Sequence, residues 1–205
     1  MTNELSTEEK IKVAAKELFH QKGYAGTKTR DIAEKAGINL ALLNYYFRSK
    51  EKLFGMVMKD GVKELFTTIR EELYDKEGLL SDKIPKIVNI YFEILTENPN
   101  LPLFILGELQ ANPDKLAEEL SLPKDFLIKT VLYQQLKAQL NATGQEHIEP
   151  LQILLNILAL TIFPFAAGPL LRTVTHFPDD NFTAFLEERR KLIPIWIKSM
   201  LKIEE

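Results

Sequence analysis

The stretch GYAGTKTRDIAEKAGINLALLNYYFRSKEKLF, residues 23–54, decides the fold of this chain. Thr29 has the side chain of a helix N-cap, and Gly37 predicts the end of the short helix that begins there. Asn39 predicts the cap of a second short helix. Two short helices joined by so tight a link are typical of a helix-turn-helix unit.

A third helix precedes this unit. Ser6 and Glu9 form the pattern of a capping box, and Gly23 predicts the C-terminal end of the helix. Its apolar residues recur with helical spacing. They are Ile11, Ala14, Ala15, Leu18 and Phe19.

Helical periodicity continues to the C-terminus, and no segment alternates as a strand does. The predicted helices cover about 50–74, 81–98, 102–112, 123–141, 148–167 and 180–203, with a kink or restart at Pro194. We therefore expect an all-α fold. A three-helix domain occupies residues 1–49, and a larger helical domain occupies residues 50–205.

Composition limits the possible functions. The chain has 205 residues, of which 45% are hydrophobic, and it contains no cysteine. Disulfides and thiolate metal sites are therefore excluded. Residues 1–52 carry a net charge of +3 within a chain of −3, which predicts an anionic partner for that end. The polar N-terminus lacks the pattern of a secretory signal, so we expect a cytoplasmic protein.

Residues 8–56 resemble the DNA-binding domain of the tetracycline-repressor (TetR) family. The resemblance rests on the segments 23–33, 36–39 and 43–54, which match in order at fixed spacing. It implies a regulator that binds double-stranded DNA as a homodimer and carries a ligand-binding and dimerisation domain after the helix-turn-helix. The C-terminal helices match that family in number only.

The second short helix is expected in the major groove, with its N-terminal residues on base edges. Apolar residues there suit thymine methyl groups, and Asn44 suits an adenine edge. Leu40 replaces the polar or basic residue usual in the family, and Asn44 replaces an aromatic one. The candidate DNA contacts are Thr29, Arg30, Asn39, Leu40, Ala41, Leu42, Asn44, Tyr45, Tyr46 and Lys50. Among these, Tyr45, Tyr46 and Lys50 resemble the family's phosphate contacts.

The segment from Leu151 to Leu171 has no charged residue and is long enough to span a membrane. Interspersed polar residues, Pro164 and Pro169 favour instead a helix that is buried on both faces, the second by a two-fold partner. We therefore predict no membrane association and a homodimer through the last two long helices. The candidate interface residues are Leu151, Leu155, Leu158, Ile162, Phe185 and Trp196.

The middle helices combine aromatic residues with a few polar ones, as ligand cavities do. The candidate ligand contacts are Asn89, Tyr91, Phe92, Phe104, Glu108, Tyr133, Asn156 and Phe163. They predict a small, largely apolar effector. The helix from Lys50 to Tyr74 joins the two domains, so effector binding would shift the DNA-binding domain through this helix.

Catalytic motifs are missing from the sequence. The three histidines are scattered, and neither HExxH, GxSxG nor a phosphate-binding glycine loop is present. We expect no catalytic residue, metal or cofactor. The leading hypothesis is a ligand-responsive repressor. The alternatives are a ligand-independent DNA-binding regulator that acts through protein partners, and an all-α enzyme with a vestigial DNA-binding domain.

Overall fold

The computed structural model describes residues 5–176 and 178–203, and these form helices and connections without a strand. The helices are α1 (Thr7–Gly26), α2 (Thr29–Lys35), α3 (Leu40–Phe47), α4 (Lys50–Tyr74), α5 (Leu80–Glu97), α6 (Leu101–Ala111), α7 (Pro113–Glu119), a 3₁₀ turn (Leu127–Lys129), α8 (Val131–Ala142), α9 (Pro150–Ala166), α10 (Gly168–Thr175) and α11 (Asp179–Met200). The predicted all-α fold is confirmed.

The chain divides into two compact units, Met1–Val62 and Lys63–Glu205. The division falls inside α4, whereas the sequence suggested a boundary at the first residue of that helix. Each unit has its own buried apolar core.

Local capping explains the start and the bend of α1. The Glu9 backbone N–H donates to Ser6 Oγ over 3.3 Å, and the Ser6 backbone N–H donates to Glu9 Oε2 over 2.8 Å. The predicted capping box is therefore confirmed. Gly23 has φ +67°, which glycine adopts without steric cost. It interrupts α1 at the predicted end, but the helix resumes and ends at Gly26.

The N-cap of α2 differs from the prediction. Thr29 is the first helical residue, and the N-cap is Lys28, whose extended backbone precedes the helix without a capping side chain. Thr27 is buried, and its hydroxyl lies 2.7 Å from the carbonyl oxygen of Gly23 and 3.0 Å from that of Leu18. The threonine side chain that fixes this connection therefore bonds backward to α1.

The C-terminal unit packs α5 against α8, α9 and α11. The predicted helix 123–141 is wrong at its start, because α8 begins only at Val131. Thr130 has an extended backbone (φ −72°, ψ 150°), and its hydroxyl accepts from the Tyr133 backbone N–H over 3.1 Å. This cap separates α8 from the 3₁₀ turn before it.

The charge-free segment consists of two helices, α9 and α10, which meet at an angle of 65°. Within the described residues no single helix is long and apolar enough to cross a bilayer, although this bent pair satisfies the length and composition criteria jointly. Of the kink or restart expected at Pro194, the restart does not occur, since α11 continues through that residue.

Lys83 is fully buried, and its ammonium fixes the connection between α4 and α5. It donates to the Asp75 carbonyl oxygen and, over 2.9 Å, to Gln135 Oε1 on α8. Gln135 Nε2 donates in turn to the Gly78 carbonyl oxygen over 2.9 Å. The carboxylate of Asp75 accepts from the backbone N–H groups of Glu77 and Gly78. A buried charge is tolerated here because polar partners surround it.

Candidate nucleic-acid interface

A small apolar core fixes α2 and α3 against α1. Ile32 and Ala33 are buried on α2, and Leu43 and Phe47 are buried on α3. Both helices are joined through Gly37, whose φ of +70° makes the tight turn possible. These contacts hold the opposite face of α3 outward.

Asn39 confirms its predicted role as the cap of α3. Its Oδ1 accepts a hydrogen bond of 2.8 Å from the Leu42 backbone N–H. This bond satisfies one of the donors that every helix leaves free in its first turn. The N-terminus of α3 is therefore fixed at the residues for which we expect base contacts.

The predicted DNA contacts lie together on the outer face of α2 and α3. Arg30, Ala41 and Asn44 are exposed, and Thr29, Leu40 and Leu42 are half-buried. Tyr45 is 79% exposed and Tyr46 is 42% exposed, with their ring centroids 5.6 Å apart. Aromatic side chains are usually covered, so a neighbouring exposed pair indicates a contact surface.

The side chain of Lys50 has partners within the protein, whereas the sequence suggested only a phosphate contact. Its ammonium donates to the carbonyl oxygens of Tyr24, over 2.9 Å, and Thr27, over 3.1 Å. It also lies 4.2 Å from the centroid of the Tyr24 ring. The side chain therefore fixes the start of α4 to the connection before α2, and one of its three donors remains for another acceptor.

The turn between α3 and α4 contains residues that sequence reasoning missed. Arg48 has φ +57°, and Ser49 Oγ accepts a hydrogen bond from the Lys52 backbone N–H over 3.2 Å. The pKa of Glu51 is lowered because its carboxylate accepts from its own backbone N–H and from the hydroxyls of Ser49 and Tyr24. The serine before α4 was the available sequence signal, since serine is a preferred N-cap.

Ion pairs engage some cations of this unit and leave others exposed. Lys22 pairs with Asp31 over 3.3 Å, and Lys35 pairs with Glu17 over 2.6 Å. In contrast, Lys28, Arg30 and Arg48 are exposed and form no ion pair with a residue that the structure describes. The cations next to α3 therefore remain available to an anionic partner.

The eight candidate ligand residues lie on four helices of the C-terminal unit, α5, α6, α8 and α9. Tyr91 and Phe92 are buried, and burial raises the pKa of the Tyr91 hydroxyl. Phe104 and Glu108 are half-buried. Phe163 is 63% exposed.

The remaining three candidates with polar groups have partners within the chain. Asn89 Oδ1 accepts from Arg190 Nε over 2.6 Å. The Tyr133 hydroxyl donates to Glu149 over 2.5 Å, and this bond is the main reason that the pKa of Tyr133 is raised. Asn156 lies on the exposed side of α9, with Nδ2 at 3.8 Å from Met200 Sδ.

The candidate dimer residues lie on α9 and α11, which pack against each other. Leu151 is 36% exposed and Leu155 is 49% exposed. The others, Leu158, Ile162, Phe185 and Trp196, are half-buried. Ile195 and Met200 on α11 are also exposed.

Within the described residues no group of three His, Cys, Asp or Glu side chains is placed to bind a metal ion. The site thus consists of a rigid helix-turn-helix with exposed aromatic, amide and cationic side chains. This combination is typical of DNA-binding proteins of the helix-turn-helix class.

Known proteins are similar to this chain in sequence. The model for "Bacterial regulatory proteins, tetR family" matches residues 11–57, so the N-terminal part of the chain is similar to that family. The protein is a DNA-binding transcriptional regulator. A probable HTH-type transcriptional regulator of Bacillus subtilis, YttP, is 26% identical over 97% of this chain and 95% of that protein.

Two solved structures share the fold. The TetR-family regulator PfmR of Thermus thermophilus has a TM-score of 0.61 at 16% identity, over 98% of both chains. The regulator FadR of Bacillus subtilis, in complex with stearoyl-CoA, has a TM-score of 0.53 at 17% identity, over 90% of this chain and 96% of that one. The relatives are transcriptional regulators, and none of these matches is to an enzyme.

Proposed function

We propose that this protein is a homodimeric transcriptional repressor that binds a near-palindromic operator and is released by a small, largely apolar ligand. The observation that carries the proposal is the outer face of α3. There Asn44, Tyr45 and Tyr46 are all exposed on a helix whose opposite face is fixed by Leu43 and Phe47.

In this proposal α3 enters the major groove of DNA. Asn44 donates to and accepts from an adenine edge, and the small apolar residues Leu40, Ala41 and Leu42 contact thymine methyl groups. Phosphate contacts come from Thr29, Arg30, Tyr45, Tyr46 and the remaining donor of Lys50. Asn39 contributes chiefly by capping α3, which positions the residues at the start of that helix.

The dimer uses the apolar surface of α9 and α11. Leu151, Leu155, Ile195 and Met200 are exposed in the single chain, and a two-fold partner would cover the same residues on both copies. Half-sites one helical turn apart would place the two recognition helices about 34–36 Å from each other.

The ligand response is supported by the family and by one structural neighbour. The FadR structure contains stearoyl-CoA, a ligand with a long apolar chain. We propose a largely apolar effector for this chain, held in its C-terminal unit. Such an effector must bind the DNA-incompetent state more tightly, and a coupling of about 1–3 kcal/mol is the usual scale.

Gel-shift titration tests DNA binding, with a library of palindromic duplexes whose half-site spacing varies. Binding should select one spacing and weaken steeply with salt. Calorimetry with a ligand found by screening then tests the release, because coupling is reciprocal. Equal ligand affinity with and without saturating operator would reduce the proposal to a DNA-binding dimer without a switch.

A further inference from the structure

A cleft of about 370 Å³ lies in the C-terminal unit, beside the last three turns of α4. One wall is a single face of this helix. Lys63, Phe66, Thr67 and Arg70 line it at spacings of three, four and seven residues, which places them on the same side. Two turns separate the two cations, or about 10 Å along the helix axis.

The end of α7 forms the second wall. The Leu122 backbone N–H donates to the Ala117 carbonyl oxygen over 2.8 Å, and the Ser121 N–H donates to that of Glu118 over 2.9 Å. These bonds form a Schellman motif in which Ser121, with φ +54°, stands where glycine is usual. The motif directs Leu120 and Leu122, both half-buried, into the lining.

Aromatic packing fixes the rest of the cleft. Phe126 is buried in the lining, and its ring centroid lies 6.0 Å from that of Tyr74. The guanidinium of Arg70 lies 5.8 Å from the centroid of the same tyrosine. Tyr74 thus holds both an apolar and a cationic member of the lining in place.

The lining of the cleft carries two cations, Lys63 and Arg70, and one acid, Glu119. Lys63 and Arg70 are exposed, and the side chain of neither forms an ion pair or hydrogen bond with any residue in the described part of the chain. The acid in the lining, Glu119, is engaged in an interaction within the protein. The cleft therefore combines four apolar side chains with two cations whose donors are available.

We infer that this cleft binds an amphipathic anion, that is, an apolar chain or ring system with a carboxylate or phosphate group. The apolar part contacts Phe66, Leu120, Leu122 and Phe126, and the anionic group accepts from Lys63 and Arg70. The volume lies within the range of about 300–1,000 Å³ typical of small-molecule sites. The inference rests on the proposed ligand response and assigns it a site that contains none of the eight candidate ligand residues.

Calorimetry on the full chain tests the site with three soluble probes of equal chain length: octanoate, octyl phosphate and the uncharged octyl glucoside. Both anions should bind at least about tenfold more tightly than the glucoside, and the stronger of them identifies the head group. The double variant Lys63→Gln/Arg70→Gln should weaken the anions by about tenfold or more and leave the glucoside unchanged, because only charge-assisted hydrogen bonds are lost.

Two further variants complete the experiment. Lys115→Gln removes a charge from an exposed position outside the lining and should change nothing. Thr67→Trp fills the cleft from an exposed position and should abolish binding of all three probes, with the helical circular dichroism signal unchanged. Unaltered anion affinity in the double variant or in Thr67→Trp would overturn the inference.

The test separates this inference from the proposed function. Calorimetry contains no DNA, so the loss of anion affinity in the double variant supports the cleft even where the gel shift detects no operator binding. Conversely, if the protein binds the operator but none of the three probes, the inferred ligand site is wrong and the proposed DNA binding is unaffected.

Discussion

The ammonium of Lys50 lies 2.9 Å from the carbonyl oxygen of Tyr24 and 4.2 Å from the centroid of its ring. A side chain at the first residue of α4 thereby fixes the end of α1. The ring of Tyr24 lies 4.8 Å from that of Phe54, and Phe54 packs edge-on against Phe19 over 5.0 Å. The cation thus belongs to the scaffold of the helix-turn-helix as well as to its surface.

Lys50→Ala should therefore lower both stability and DNA affinity. Loss of its hydrogen bonds to two carbonyl oxygens should reduce the free energy of unfolding by about 1–2 kcal/mol. Loss of a phosphate contact should reduce the salt slope of DNA binding by about one unit. Urea titration and salt-dependent gel shifts measure the two effects. Lys52→Ala, at an exposed neighbouring position, should not alter stability. If Lys50→Ala had the same free energy of unfolding as the original protein, the hydrogen bonds of Lys50 would not contribute to stability.

Asn39→Ala should destabilise α3. The cap bond to the Leu42 N–H is lost, which costs about 1 kcal/mol. Asn39→Asp should retain most of the stability, because aspartate caps a helix equally well. Urea midpoints measure the difference. If the alanine and aspartate variants were equally stable, the cap would contribute nothing.

Asn44→Ala should change base preference without changing stability. Its side chain is exposed on α3, so the protein loses no internal contact. The lost bidentate contact should cost about 1–3 kcal/mol of discrimination at one base pair. Gel shifts with operator variants at each position measure this. If the variant lost the same affinity for every operator variant, Asn44 would contact the DNA backbone and not a base.

Leu155→Glu should dissociate the proposed dimer. The position is 49% exposed in the single chain, so the variant folds, but a buried carboxylate at a two-fold interface is strongly unfavourable. Light scattering should give the mass of one chain. Leu103→Glu, at a position 59% exposed on α6, is the matched control and should remain dimeric. A dimeric Leu155→Glu protein would place the interface elsewhere.

Asp75 should make stability depend on pH in acid. Its pKa is lowered from 3.8, first by the backbone N–H of Glu77 and then by the charge of Lys83 and the N–H of Gly78. A lowered pKa contributes stability above 3.8, and this contribution is lost as the pH falls through the folded-state value. Asp75→Asn should flatten the loss of urea midpoint below about pH 4. Glu146→Gln, in an exposed loop, should leave that loss unchanged.

Several features of the fold follow from residues close together in the chain. The capping box of Ser6 and Glu9, the cap at Asn39 and the positive φ of Gly23 and Gly37 each involve groups within about one helical turn. For that reason the sequence predicted α1, α3 and α4 well. The same local rules erred at Thr29, because the side chain that fixes this connection is Thr27, which bonds back to the carbonyl oxygen of Leu18 nine residues earlier.

Tertiary structure decided what depends on distant segments. Lys83 meets Gln135 across 52 residues, and the cleft combines one face of α4 with a turn some 50 residues later. The clearest case is α9, which is apolar on both faces. Periodicity alone could not decide which face the rest of the chain covers. Packing against α5, α8 and α11 buries Ile153, Leu154 and Ile157, and it leaves Leu155 and Phe163 exposed.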